Sequence, residues 1–216
     1  MQAQIRPHFL YNTLESISYL AQMGENSKIK VLAQSLIGLL RMTIGDIRST
    51  ITLEEELEGV RQYINIQNIR YGNTLRESIY AEPEIMECKI LKLLLQPIVE
   101  NAIIHGIAPL SASGIVMIYG KRDEDGICIE ISDNGVGMEA GEVERLLSDR
   151  KREGNFSEIG IANVQDRIQT LYGKKYGLAI FSQPGCGTTV EVDLPYILSE
   201  GDEIKNEGKE TEDTDC

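Results

Sequence analysis

Tryptophan is absent from this sequence, histidine occurs twice and cysteine four times. The cysteines (Cys88, Cys128, Cys186 and Cys216) are widely spaced and form no CxxC pair. With so few histidines, that spacing argues against a structural zinc site and fits reduced cytosolic thiols. No segment approaches the roughly 18 uninterrupted apolar residues of a membrane helix. The longest apolar stretch, 90–99, is broken by Lys92, Gln96 and Pro97, and no signal-peptide pattern follows Met1, so a soluble chain is expected. Basic residues are scarce, 21 Lys and Arg against 34 Asp and Glu, for a net charge of -13. Such a surface repels a phosphate backbone, which argues against a nucleic-acid partner. The GxxxxGK[ST], GxGxxG and GxSxG motifs are all missing. Their absence excludes a P-loop nucleotidase, a dinucleotide-binding fold and an α/β-hydrolase elbow.

What the chain does contain begins with helices. Leu10, Leu14, Ile17 and Ala21 recur at helical spacing, and so do Ile29, Leu32, Leu36, Leu40 and Ile44. The break at 24–27 between the two stripes predicts an antiparallel hairpin. Two helices cannot close a core alone, and a second copy of the chain, giving a four-helix bundle, is the simplest source of the missing apolar surface. A third helix is expected near Thr52, where Thr52 and Glu55 fit a capping box and Leu53, Leu57, Val60 and Ile64 supply a buried stripe. The run Glu54, Glu55, Glu56 reads as first-turn acids favoured by the helix dipole.

Beyond Tyr71 the pattern becomes mixed. Residues 75–81 and 115–120 read as strands, and Ile127, Ile129 and Ile131 alternate with polar neighbours as in a half-buried strand. A hairpin turn is expected at 123–126 and closing strands at 177–183 and 188–194. Residues 89–106 read as a helix in which Pro97 makes a kink or a fresh first turn, and 139–148 and 160–172 as further helices. Residues 76–197 therefore form an α+β unit, an antiparallel or mixed sheet with helices on one face. Residues 199–216 hold eight acids, two lysines and few apolar side chains, and read as a disordered tail.

Four short segments carry candidate chemistry. Glu100-Asn101 puts two polar residues on an apolar helix, where burial is costly unless each has a partner. The Asn101 carbonyl is a hard oxygen of the kind Mg²⁺ takes, although two satisfied residues on a helix edge fit as well. Asp133-Asn134-Gly135-Val136-Gly137 closes a strand, with a carboxylate able to accept from an adenine amino group and glycines that admit a close ligand, or else it is a simple turn. Gly160-Ile161-Ala162-Asn163 opens a helix whose amides favour phosphate, or is an ordinary helix start. Gly185-Cys186-Gly187-Thr188 alone reads as a hairpin.

Taken in order, these segments resemble the Bergerat-type ATP-binding domain shared by histidine kinases, gyrase B, MutL and the ninety-kilodalton heat-shock chaperones. Gln4-Ile5-Arg6-Pro7-His8-Phe9-Leu10-Tyr11-Asn12 resembles the phosphoacceptor motif of LytS/YesM-type sensor histidine kinases, and Tyr63, Gln67 and Arg70-Tyr71-Gly72 resemble that family's third helix. The resemblance implies an ATP- and Mg²⁺-dependent protein-histidine kinase that phosphorylates His8 and passes the phosphoryl group to a response-regulator aspartate. It implies a homodimer on the cytoplasmic side of a membrane, reached only through an upstream sensing segment. The implied domains are 1–74 for dimerisation and phosphoacceptance, 75–197 for ATP binding and 198–216 as the acidic tail.

The resemblance also implies roles. Asn101 would ligate Mg²⁺ with Glu100 beside it as a candidate base. Asp133 would read adenine, with Gly135 and Gly137 shaping that wall. Residues 138–159 would form an ATP lid, Gly160, Ile161 and Asn163 would meet the phosphates, and Thr188 would close the adenine side. His105 either caps its helix or lines the phosphate side. The sequence departs from the family at Arg6 (usually Asn), Ile104 (often basic) and Glu158 (usually Gly). These departures leave open an alternative, a nucleotide-binding scaffold or phosphatase-biased regulator.

Overall fold

The computed structural model describes residues 7–44, 46, 49–72, 74–110, 113–148 and 158–198. Helix α1 (Pro7–Gln22) turns at Gly24, whose φ of 73° suits glycine, into α2 (Asn26–Thr43). The hairpin is the one expected, and its inward faces follow the proposed stripes in part, with Leu10, Ile17 and Ile29 packed against the core. Leu32, Leu36 and Leu39 of α2 are buried, as are Leu20 and Thr13 of α1, whereas Leu14 and Leu40 face outward and Ile44 lies past the helix end. Burial of Thr13 is cheap because its hydroxyl donates to the Phe9 carbonyl at 2.7 Å.

Strand β1 (Thr50–Thr52) leads into α3 (Leu53–Arg70), and the capping box forms as expected. The Glu55 amide donates to Thr52 Oγ1 at 3.1 Å and the Thr52 amide to Glu55 Oε2 at 2.9 Å. Leu53, Leu57, Val60 and Ile64 are all buried.

Strands β2 (Leu75–Ala81), β4 (Gly114–Asp123), β5 (Gly126–Asp133), β6 (Gly177–Gln183) and β7 (Gly187–Leu194) form a mixed sheet in the order β2-β4-β5-β7-β6. Only the β2–β4 pair is parallel. Between β2 and β4 lie strand β3 (Lys89–Leu91), helix α4 (Gln96–Asn101) and a π-helical turn (Ala102–Ile107). The single helix expected over 89–106 is thus corrected. Its first three residues pair antiparallel with β1, and Pro97 sits in a fresh first turn. Helices α5 (Ala140–Ser148) and α6 (Glu158–Tyr172) follow β5. Ile127, Ile129 and Ile131 join Ile98, Ile103, Val164 and Ile168 in a core that continues into Leu53, Leu57 and Leu32 of the helical region. No helix among the described residues is long and apolar enough to cross a membrane. The residues of the acidic tail after Leu198, and 149–157 of the expected lid, lie outside the described residues.

Candidate functional site

The centre of the candidate nucleotide site is Asp133, the last residue of β5. Its Oδ1 accepts the Gly135 amide at 2.7 Å, and the Thr188 amide also bonds to the carboxylate. Thr188 is the register partner of Asp133 on β7. Burial pushes the carboxyl up to about 6, against the opposing pull of those two amides. Its side chain is half-buried rather than sealed, so a group beyond the end of this central strand can still meet it.

Four glycine contacts build the wall around this carboxylate. A Cβ added at Gly106 would lie 2.8 Å from Asp133 Oδ1, and one added at Gly135 would fall on the Gly106 backbone. The Val136 amide donates to the Gly106 carbonyl at 2.9 Å, locking the DNGVG turn to the π-helical turn. Gly137 has a φ of 67° and packs against the Gln183 carbonyl, while Gly187 packs against the Asp133 carbonyl. Ser182 Oγ accepts the Met138 amide at 2.9 Å and stands 3.0 Å from the Thr188 hydroxyl. Ser182 and Gly106 belong to this wall, yet neither is distinguishable in the sequence, since Gly106 reads only as a helix end and Ser182 as one strand residue among several.

Glu100 and Asn101 close α4 and are half-buried, and the Asn101 amide oxygen is a hard donor on the rim of the same unit. The π-helical turn follows Asn101 directly, with the Ala108 amide donating to the Ile103 carbonyl at 2.8 Å. Such turns often accompany functional sites, because the wider winding re-aims side chains. His105 lies in this turn, exposed. Gly160, near the start of α6, faces Pro97 of α4, so the two helices that carry Asn101 and Asn163 are neighbours. Asn163 is exposed. The Ile161 side chain is in the core, which leaves only its backbone to meet a ligand.

His8 stands on a separate set of elements. Helix α1 makes its principal contacts with α2 and α3, and the imidazole is exposed there. Both ring nitrogens lie 3.2 Å from the Asn12 amide nitrogen one turn on, close enough for either to accept its hydrogen bond. The next residue, Phe9, stacks on the buried Tyr63 ring at 5.6 Å. The Tyr63 hydroxyl accepts from Gln67 at 2.7 Å, and Arg70 donates to Gln67 at 2.9 Å. The three residues singled out on α3 therefore form one network that fixes the roll of α1 and keeps the histidine outward.

One acidic residue departs from expectation. Glu54 and Glu55 are exposed first-turn acids, but Glu56 is buried and accepts the amides of Leu93 at 2.8 Å and Leu95 at 2.9 Å. Burial raises its pKa and the backbone amides of 93–96 oppose the rise.

Comparison with known proteins gives two family matches, histidine kinase over residues 1–75 and the histidine kinase-, DNA gyrase B- and HSP90-like ATPase over residues 88–197. The sensor histidine kinase YesM of Bacillus subtilis is 37% identical over 195 residues, covering 90% of this chain and 32% of its own length. The sensor protein kinase HptS of Staphylococcus aureus is 29% identical over 202 residues, 93% of this chain and 38% of its own. The chain thus spans about a third of the length of these curated relatives. A mycobacterial sensor histidine kinase MprB structure aligns with a TM-score of 0.52 at 15% identity, over 70% of this chain and 99% of that one, which establishes the shared fold.

Proposed function

Because the chain belongs to the histidine kinase-, DNA gyrase B- and HSP90-like ATPase family, and within it to the LytS/YesM-type histidine kinases, we propose that it is the kinase core of a two-component sensor, transferring the γ-phosphoryl group of ATP to a nitrogen of His8. The observation that carries this reading is the presence on one chain of an outward imidazole on α1 and a glycine-walled, half-buried carboxylate at the end of β5. On this reading residues 1–74 are the phosphoacceptor unit, 75–197 the ATP-binding domain and 198–216 a tail.

Asp133 accepts a hydrogen bond from the adenine amino group, and Thr188 holds that carboxylate in place through its amide. Gly135 and Gly137 keep the wall free of side chains where the base enters. Gly160, the Ile161 amide and Asn163 face the phosphates from α6. The donor set fits Mg²⁺, since Asn101 offers a half-buried neutral amide oxygen beside the carboxylate of Glu100. When bound, that ion neutralises charge on the phosphate oxygens. The exposed His8 ring presents a nitrogen lone pair that can act as the nucleophile. Asn12 orients the ring by hydrogen bonding to one of its nitrogens. Glu100 is the candidate to take the proton that the ring releases. Ile104 leaves the phosphate side without the basic residue common in the family, so binding leans more heavily on α6 and Asn101.

A homodimer is supported by apolar side chains left outward on the hairpin, among them Tyr11, Leu14, Ile37 and Leu40. The onward acceptor is a response-regulator aspartate, and attachment to the cytoplasmic face of a membrane runs through a segment preceding this one.

Incubation with γ-labelled ATP and Mg²⁺ tests the reading. Acid-labile label on the protein that disappears in His8→Ala and persists in His105→Ala is expected. Bound ATP with no label at millimolar nucleotide overturns kinase activity in favour of a nucleotide-binding scaffold.

A further inference from the structure

The loop between β3 and α4 is held from three directions. Glu56 of α3 accepts the amides of Leu93 and Leu95, one on each carboxylate oxygen. Arg167 of α6 donates to the opposite side of the same loop, to the Leu93 carbonyl at 2.9 Å and the Lys92 carbonyl at 2.5 Å. Lys92 in turn donates from Nζ to the Ile44 carbonyl at the end of α2, at 2.7 Å. The clamped loop contains Leu93, the one non-glycine residue with positive φ (55°) among the described residues. That conformation is disfavoured for a residue carrying a Cβ and persists only when its surroundings enforce it. Six residues beyond the Leu95 amide lies Asn101.

The chemistry of the clamp matters as much as its location. A carboxylate accepts two amides at once, and a guanidinium fork donates to two carbonyls, so the loop is gripped at its donors from α3 and at its acceptors from α6. Glu56 is wholly buried, and a buried acid costs free energy unless its oxygens are occupied. It therefore has little freedom to let go of the loop while α3 stays in place. Helix α3 is also the element that fixes the roll of α1 through Tyr63 and Phe9. One helix thus touches the mount of the histidine near its middle and the mount of the metal-side residues in its first turn.

We infer that Glu56 is a positioning residue for phosphotransfer. From the helix that supports the His8 hairpin, it sets the start of α4 and so the placement of Glu100 and Asn101, with Arg167 as its counterpart on α6. The inference rests on the kinase reading above. It assigns to Glu56 the metal-dependent part of nucleotide binding, while Asp133, on β5, keeps the adenine part.

The test compares the 216-residue chain carrying Glu56→Gln or Arg167→Lys with the wild type. Affinity for ATP is measured calorimetrically with Mg²⁺ and again with EDTA, and the initial rate of His8 labelling is followed in parallel. Glutamine keeps the shape of Glu56 but turns a donor toward one of the two amides. Lysine keeps the charge of Arg167 but can serve only one carbonyl well. Affinity in EDTA is expected within about twofold of wild type for both variants. The enhancement given by Mg²⁺ should drop by fivefold or more in Glu56→Gln, and the labelling rate by tenfold or more, with smaller losses of the same pattern in Arg167→Lys. Equal weakening with and without Mg²⁺, or no change in either variant, overturns the inference. Should Glu56→Gln fail to fold, Arg167→Lys decides by the same ratio, and failure of both to fold overturns it by assigning the clamp to stability alone. A wild type that binds no ATP or takes no label on His8 would instead count against the kinase reading itself.

Discussion

Replacing Asp133 by asparagine removes an ionisable group whose carboxyl is held at about 6, against an ordinary value of 3.8. Between these values the folded chain keeps a proton that the unfolded chain has released. The stability this group contributes is therefore fully present below about pH 4 and is lost as the pH rises through about 6. The gap corresponds to about 3 kcal/mol at neutral pH, the net of the desolvation of an ionised Asp133 and the opposing amide hydrogen bonds. Burial shifts Glu56 and Glu77 in the same direction, so the informative quantity is the wild-type-minus-variant difference in urea unfolding free energy. That difference should fall by up to about 3 kcal/mol between pH 4 and pH 7.

Nucleotide affinity should move in the opposite sense. Only the ionised carboxylate accepts freely from an amino group, and at pH 5 roughly a tenth of it is ionised. The advantage of wild type over Asp133→Asn, about 1–3 kcal/mol at pH 8, should shrink by about 1.4 kcal/mol at pH 5. Calorimetric ATP titrations of both proteins at pH 5, 6 and 8 measure it, and the variant corrects for titration of the phosphates themselves. If both differences stay constant across the pH range, or the variant binds ATP as well as the wild type at pH 8, the assignment of Asp133 to adenine is wrong.

Gly135→Ala would drive a Cβ into the Gly106 backbone, so a stability loss of about 1–3 kcal/mol in urea melts and loss of ATP binding are expected, whereas unchanged binding would mean the wall can open. Thr52→Ala should remove half of the capping box and lower unfolding free energy by about 1 kcal/mol, with labelling of His8 retained. Paired Leu14→Glu and Ile37→Glu, two outward residues of the hairpin, should convert the proposed dimer to a monomer in sedimentation equilibrium while the far-ultraviolet circular dichroism is preserved. An unchanged dimer would place its interface elsewhere.

The helices and most strands were readable because their signals are local. A capping box, a glycine turn and alternating isoleucines each act within a few residues. What escaped reading depends on partners distant in the chain. Lys89-Ile90-Leu91 has the composition of a helix start, and it becomes a strand only because Thr50-Ile51-Thr52 offers it an edge 39 residues away. Glu56 is indistinguishable from Glu54 and Glu55 until the 93–95 amides arrive from the other side of the core. The hairpin stripes, which hold at Leu10, Ile17, Ile29, Leu32 and Leu36, miss elsewhere for a related reason. Both helices are apolar around more of their circumference than one chain can cover, so spacing alone could not say which side turns inward, and a hydroxyl that satisfies itself against the helix backbone, as in Thr13, can be buried in place of a leucine.

The motif segments were legible individually but not as one object, and the glycines explain why. Gly106 has the appearance of a helix terminator, Gly135 of a turn residue and Gly187 of a hairpin residue. In the folded chain a Cβ at the first would meet the Asp133 carboxylate, at the second the Gly106 backbone, and at the third the Asp133 carbonyl. The three segments must approach at backbone distance for Asp133 to be held by the Gly135 and Thr188 amides while one side stays open. A side chain at any of the three would separate the layers and leave the carboxylate either fully solvated or fully enclosed. In the first case its pKa returns toward 3.8 and the site loses its preorganisation; in the second no amino group can reach it. The half-buried acid therefore depends on the close approach of three loops that the order of motifs along the chain identifies only collectively.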